Sequence, residues 1–229
     1  MVTNEELQEL LRDCPVLYHM AEHGSWPSIR DRGLLSTTAL LDLYEITGER
    51  RVEIEATRRP TSVNLENPTL GLAVVRDQIP MDDKGLRRAL PEDWTPECWY
   101  RLLNGRVFFW LSRERLLRLL GADAYRSRRH DVIEIETASL VSSCRDEIWL
   151  CPINSGCTKP FPHPRGGNTF SRIPDYPYSY WRGKRKKGER VVELAVDYSV
   201  PHLSRHVLRV VEMMGSNETN VLYERATKA

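Results

Sequence analysis

The sequence predicts a single α+β domain, and three observations lead there. A chain of 229 residues with 41% hydrophobic content supports one large core or two small ones. Segments with helical apolar spacing and segments with strand-like alternation are interspersed along it. No internal repeat and no obvious linker divides it.

Taken in order, Thr3 and Glu6 have capping-box spacing, and Leu7, Leu10 and Leu11 form an apolar stripe. A helix over residues 3–12, stopped at Pro15, is expected. Pro15-Val16-Leu17-Tyr18-His19 then reads as a short strand. Ser25 is placed to cap a second helix, with Pro27 in its first turn and Gly33 at its end. A third helix is expected from Thr37 to Ile46, closing at Gly48. Residues 49–80 show weak periodicity and receive no assignment. Helices are expected over Asp82–Leu90 and over Pro96–Leu103, the latter with Thr95 as cap. Arg106-Val107-Phe108-Phe109-Trp110-Leu111 reads as a strong strand, and Ser112 as the cap of a helix carrying Leu116, Leu117, Leu119 and Leu120. Val132–Glu136 alternates as a strand, and Ile148–Cys151 is a further strand. Residues 152–190 form a long segment rich in Pro, Gly and aromatics, a length that usually marks function or disorder. Its six aromatics (Phe161, Phe170, Tyr176, Tyr178, Tyr180, Trp181) argue against disorder. Strands over 191–197 and 206–213, joined by a turn at Pro201, close the chain. The domain is expected over residues 1–215, with a tail over 216–229.

Several classes are disfavoured by composition. The net charge of +1 does not point to a nucleic-acid partner. No apolar run approaches the ~18 residues of a membrane span, and no signal-peptide pattern opens the sequence, so a cytosolic (cytoplasmic) protein without a membrane partner is expected. Five cysteines, at 14, 98, 144, 151 and 157, include no short CxxC pair, which argues against a disulfide framework. Cys151, Cys157 and His163 carry metal-ligating groups without an evident fourth ligand, and no metal is expected.

Two local features stand out. Glu193 lies in an otherwise apolar strand, Val191-Val192-Glu193-Leu194-Ala195-Val196. An ionised carboxylate in a buried strand is costly unless a partner or ligand needs it; the plain alternative is an acid on a solvent-facing side. Upstream, residues 182–190 hold six Lys or Arg against one Glu, either a nucleic-acid-binding patch or a solvated tip.

Three blocks, in their order, carry a family resemblance. They are Leu17-Tyr18-His19 with Trp26 through Ser36, then Val107-Phe108-Phe109-Trp110-Leu111-Ser112, then Val192-Glu193-Leu194-Ala195-Val196 with Val200-Pro201. Together they resemble the ADP-ribosyltransferases, nearest to the DarT-like enzymes that modify nucleic acid. The blocks are short and scattered over most of the chain, with none in residues 70–105. The resemblance implies a split central β-sheet with flanking helices, NAD as the substrate, and transfer of ADP-ribose to a macromolecule, DNA or RNA before protein. It makes Glu193 the catalytic acid and Arg59 the partner of the diphosphate, with Arg58 and Arg76 as alternatives. It places His19 and Tyr18 at the cofactor and Phe109 against the nicotinamide. Residues 159–190 become a target-recognition loop, in which Trp181, Arg182, Lys184, Arg185, Lys186 and Lys187 would contact nucleic acid and Arg165-Gly166-Gly167-Asn168 a tight turn close to a ligand. A toxin or defence role, with an antitoxin or immunity protein as partner, is implied by analogy alone. An NAD glycohydrolase on the same scaffold and a nucleic-acid-binding module with a degenerate pocket are the competing readings.

Overall fold

The computed structural model describes residues 2–226. Helix α1 (Asn4–Asp13) begins at Thr3, whose side chain and Glu6 close the expected capping box. Strand β1 (Val16–Glu22) runs three residues past the expected end. Helix α2 (Trp26–Arg32) has Pro27 in its first turn and stops at Gly33, where φ is +83° and an added Cβ would lie 2.6 Å from the Val200 carbonyl oxygen. Ser25 makes no side-chain capping bond; buried Asp131 accepts the Trp26 N–H instead, at 3.0 Å. Strand β2 (Leu34–Leu35) leads to α3 (Thr37–Leu43), capped by Ser36. The third helix ends earlier than its apolar pattern suggests, because Glu45 turns the backbone to φ +56°.

The unassigned stretch holds α4 (Gly48–Glu55) and a hairpin of β3 (Val63–Asn67) and β4 (Gly71–Val75). These pack as a satellite core with α3, built on Leu41, Tyr44, Ile54, Leu65 and Val75. Helices α5 (Asp83–Ala89) and α6 (Pro96–Asn104) start from the caps Asp82 and Thr95. Strand β5 (Arg106–Trp110), α7 (Arg113–Leu120) and β6 (Arg129–Glu136) follow. Next comes α8 (Thr137–Cys144), which the sequence reading missed because it begins directly where the strand ends. After β7 (Ile148–Cys151), the long segment is largely ordered: it contains β8 (Ser171–Arg172) and α9 (Tyr178–Lys184). Strands β9 (Glu193–Asp197), β10 (Ser199–Val200), β11 (Val207–Met214) and β12 (Asn217–Glu224) complete the fold.

The centre is an eight-stranded antiparallel sheet in the order β12-β11-β6-β1-β5-β9-β7-β8. The main core lies on one face and joins Leu17, Phe109, Ile133 and Leu194 to α1, α8 and Tyr176–Tyr178. On the other face Trp99 and Tyr100 of α6 cover one end and Leu116 and Leu120 of α7 the other. The other neighbouring strands pair over two to seven positions, but β1 and β5 pair at one, Tyr18 opposite Trp110. The sheet is thus two four-stranded halves that part beyond that position.

The expected tail is corrected in part. Residues 217–224 form β12, the edge strand paired with β11 through a tight turn at Gly215 (φ +58°); residues 227–229 lie outside the described residues, as does Met1. The strand escaped notice because its first five residues are exposed and mostly polar, as an edge allows. Leu222 and Tyr223 pack on the main core, Tyr223 at 5.7 Å from the Trp26 ring. Deleting residues 216–229 is therefore expected to lower stability by about 3 kcal/mol, at ~1.5 kcal/mol per lost apolar side chain, read as a lower denaturant midpoint. Among the described residues, no helix is long and apolar enough to cross a membrane.

Candidate active site

Where the halves part, the sheet opens into a cleft of about 520 Å3 whose lining includes Tyr18, His19, Arg76, Phe108, Ser155 and Glu193. The opening is built into the strands. Beyond the Tyr18–Trp110 pair, β1 and β5 no longer exchange backbone bonds; instead the His19 ring bridges them, Nδ1 lying 2.8 Å from the Phe108 carbonyl oxygen. A carbonyl only accepts, so Nδ1 carries the proton and Nε2 is left as an acceptor. Burial lowers the His19 pKa to about 4, which keeps the ring neutral at physiological pH.

Glu193 opens β9, opposite Trp110 on β5 and Cys151 on β7. It is 5% exposed, so the solvent-facing alternative is excluded. Its Oε2 accepts the Ser155 N–H at 3.1 Å. Burial raises its pKa to about 7, opposed by the Ser155 hydrogen bond and the Arg165 and Arg115 charges. At neutral pH both protonation states are populated, the condition that suits a group which must give and take a proton.

Arg59, the expected partner of the diphosphate, lines the cleft. It is buried, and each nitrogen of its guanidinium donates one bond within the fold: Nε to the Arg76 carbonyl at 3.0 Å, Nη2 to Asn104 Oδ1 at 2.9 Å, and Nη1 to the Ile54 carbonyl. It fastens the end of α4 to α6 and β4. Arg58 is not among the cleft residues. Arg76 lines the same cleft. Its Nη1 donates to the Met20 and Ala21 carbonyls, both at 3.3 Å, and its guanidinium lies 5.5 Å from the centre of the Tyr125 ring. Its Nη2 is buried without a hydrogen-bond partner. A buried donor left unsatisfied is costly, and an anion in the cleft would satisfy it.

Phe109 lines the cleft but is 1% exposed, held in the core with its ring 5.8 Å from His19. The half-buried rings of β5 are its neighbours, Phe108 and Trp110, on the opposite face by strand alternation. Tyr18 is half-buried and lines both the main cleft and a smaller hollow of about 290 Å3 on its other side, which Lys186 and Lys187 share.

The basic segment is less free than its composition implies. Arg182 and Arg190 pair with Glu9, Arg190 also with Asp13, and Lys187 with Asp13, so α1 neutralises much of it. Arg185 lies 4.0 Å from the centre of the Trp181 ring and donates to the Glu189 and Pro152 carbonyls, while Trp181 packs on the main core. Lys184 and Lys186 are exposed and make no ion pair among the described residues. Of the loop aromatics, Phe170, Tyr176 and Tyr178 are buried, whereas Phe161 and Tyr180 are exposed.

The residues that the sequence reading passed over are Asn154, Ser155 and Gly156, which line the cleft after β7. A small polar turn directly after a buried strand was the available signal. The Arg165-Gly166-Gly167 turn is also corrected. A Cβ on Gly166 would sit 3.1 Å from the Pro91 ring, and one on Gly167 3.4 Å from Trp94, so these glycines let the chain pass the α5–α6 connection rather than a ligand. Among the described residues, no group of three or more His, Cys, Asp and Glu side chains is arranged to hold a metal ion.

A protein-family model described as "Family of unknown function (DUF7002)" matches residues 15–207. No curated protein matches the chain.

Proposed function

We propose that this chain, which belongs to the DUF7002 family, is an NAD-dependent ADP-ribosyltransferase acting on a macromolecule, nucleic acid first. One observation carries the reading: a buried carboxylate, a neutral histidine and an arginine with an unpartnered nitrogen line a single cleft at the parting of the sheet. The two four-stranded halves meeting at one residue pair support the ADP-ribosyltransferase-like, split-sheet form of the fold.

In this mechanism NAD lies along the cleft with its diphosphate on Arg76 and its nicotinamide end toward Glu193. His19 accepts a ribose hydroxyl at Nε2. The bond between the ribose C1′ and the nicotinamide nitrogen breaks, and nicotinamide leaves with the electron pair. The ionised Glu193 stabilises the oxocarbenium-like centre left on the ribose. The acceptor attacks C1′, and its proton passes to Glu193. Lys186, which lines the hollow that Tyr18 separates from the cleft, and the exposed Lys184 supply the contacts to nucleic-acid phosphates. In a toxin role held in check by an antitoxin partner, expression of the protein alone arrests growth and the Glu193→Gln variant does not.

A second reading, NAD glycohydrolase, is favoured by the neutralisation of Arg182, Lys187 and Arg190 on α1, which leaves fewer charges to hold a nucleic acid. Incubation with labelled NAD and a panel of DNA, RNA and protein targets separates the readings. Label on an oligonucleotide is expected. Free ADP-ribose with no modified macromolecule assigns the hydrolase. A non-enzymatic binding module predicts no turnover and no thermal shift with NAD, where a ligand at 100 times its Kd adds ~2.7 kcal/mol.

A further inference from the structure

Glu193 is held from behind by a residue 28 positions upstream in the chain that touches neither the cleft opening nor the proposed substrate path. The loop after β7 brings Ser155 against Glu193, with Ser155 N–H donating to Oε2 at 3.1 Å. The carbonyl of that same residue accepts from Arg165 Nη1 at 2.8 Å. Arg165 Nη2 donates to the Cys157 carbonyl at 2.8 Å and Nε to the His163 carbonyl at 3.0 Å. The guanidinium is thus spread across the loop, and its own backbone N–H is tied to the Ala89 carbonyl at 2.9 Å, at the end of α5. Arg165 is 4% exposed and forms no ion pair within 4.0 Å among the described residues. A buried cation whose hydrogen bonds all go to neutral carbonyls still lacks a counter-charge, and Glu193 is the carboxylate whose field it feels.

We propose that Arg165 is a positioning residue for Glu193: it fixes the Asn154–Cys157 loop so that the Ser155 N–H orients the carboxylate, and it supplies the buried charge that favours the ionised form. The role of Glu193 in NAD cleavage rests on the reading above; the positioning itself does not. The other groups around Glu193 do not replace Arg165. Arg115 is engaged by Glu189, and the Cys151 thiol opposite Glu193 is buried, with its pKa pushed well up by desolvation.

The test reads Glu193 directly. In protein labelled with 13C at glutamate side chains, the Glu193 carboxyl signal is assigned by its loss in Glu193→Gln and titrated in wild type, Arg165→Met and Arg165→Lys. With the charge and the fork both removed, Arg165→Met is expected to raise the Glu193 pKa by about one unit or more. Arg165→Lys keeps the charge without the three-carbonyl fork; its pKa is expected to move less, but the Ser155 amide proton is expected to stop following the Glu193 titration. The rate of nicotinamide release is expected to fall about 10–100-fold in Arg165→Met, with its pH profile displaced to higher pH by the same amount as the carboxyl. An unchanged Glu193 pKa and an unchanged Ser155 response in a folded variant overturn the proposal, whatever the activity does. If Arg165→Met does not fold, the Ser155 response in Arg165→Lys decides alone. A wild-type protein that never consumes NAD, yet shows the pKa shift, leaves the positioning standing and removes the transferase reading.

Discussion

Glu193→Gln is expected to slow nicotinamide release from NAD by about 10²–10³-fold and, at pH 8, to make the protein more stable than wild type. The two effects share one cause. Glutamine keeps the shape and the acceptor for the Ser155 N–H but cannot carry the charge that offsets a developing cation. The carboxylate is effective when ionised, so wild-type activity is expected to climb with pH and level off above about 7. Stability runs the other way. The carboxyl has an ordinary pKa of 4.5 and a value of about 7 in the fold. Between those values the folded protein retains a proton that the unfolded chain has released, so stability falls as pH rises through the window and is flat above it. The full effect is roughly 3–4 kcal/mol at ~1.4 kcal/mol per pKa unit. Denaturant melts of wild type and variant should therefore differ most at pH 8 and converge below pH 4.5. A variant that retains NAD turnover removes Glu193 from the chemistry. Equal stability at all pH values shows that the carboxylate is not desolvated as its burial implies.

That an acid sits in an apolar strand was legible in the sequence, because Val191, Val192, Leu194, Ala195 and Val196 frame it without ambiguity. Its burial was not, since periodicity does not say which face of a sheet is covered. The capping residues Thr3 and Thr95 were readable for a local reason: their partners lie three residues away. Ser112 holds the expected position before α7 but makes no side-chain capping bond. Ser25 failed because its helix takes its cap from Asp131, more than a hundred residues downstream. The same separation hid the fate of the basic segment, whose partners Glu9 and Asp13 lie about 180 positions upstream. Long-range pairings of this kind leave no trace in spacing. The exposed strand β12 and the short hairpin of β3 and β4 were missed for want of burial, which gives strands their alternation.

The second large effect separates two arginines that the sequence made interchangeable. Arg76→Met is expected to raise the KM for NAD about 10–100-fold, the scale of one or two charge-assisted hydrogen bonds to a diphosphate, with a small loss of stability from its bonds to the Met20 and Ala21 carbonyls. Arg59→Met is expected to do the reverse, lowering stability by about 3 kcal/mol or more because three buried acceptors lose their donor. Steady-state kinetics at low temperature, where the Arg59 variant is still folded, and thermal melts of both proteins give the comparison. A raised KM with unchanged stability in Arg59→Met, and no kinetic effect in Arg76→Met, would invert the assignment. The structure gives a reason for the predicted order. Arg59 Nε holds the carbonyl of Arg76 itself, so the first arginine fixes the backbone from which the second reaches into the cleft. A guanidinium with every nitrogen bonded to the protein can hold a neighbour in place. One with a buried nitrogen still unpaired is the one available to an anion.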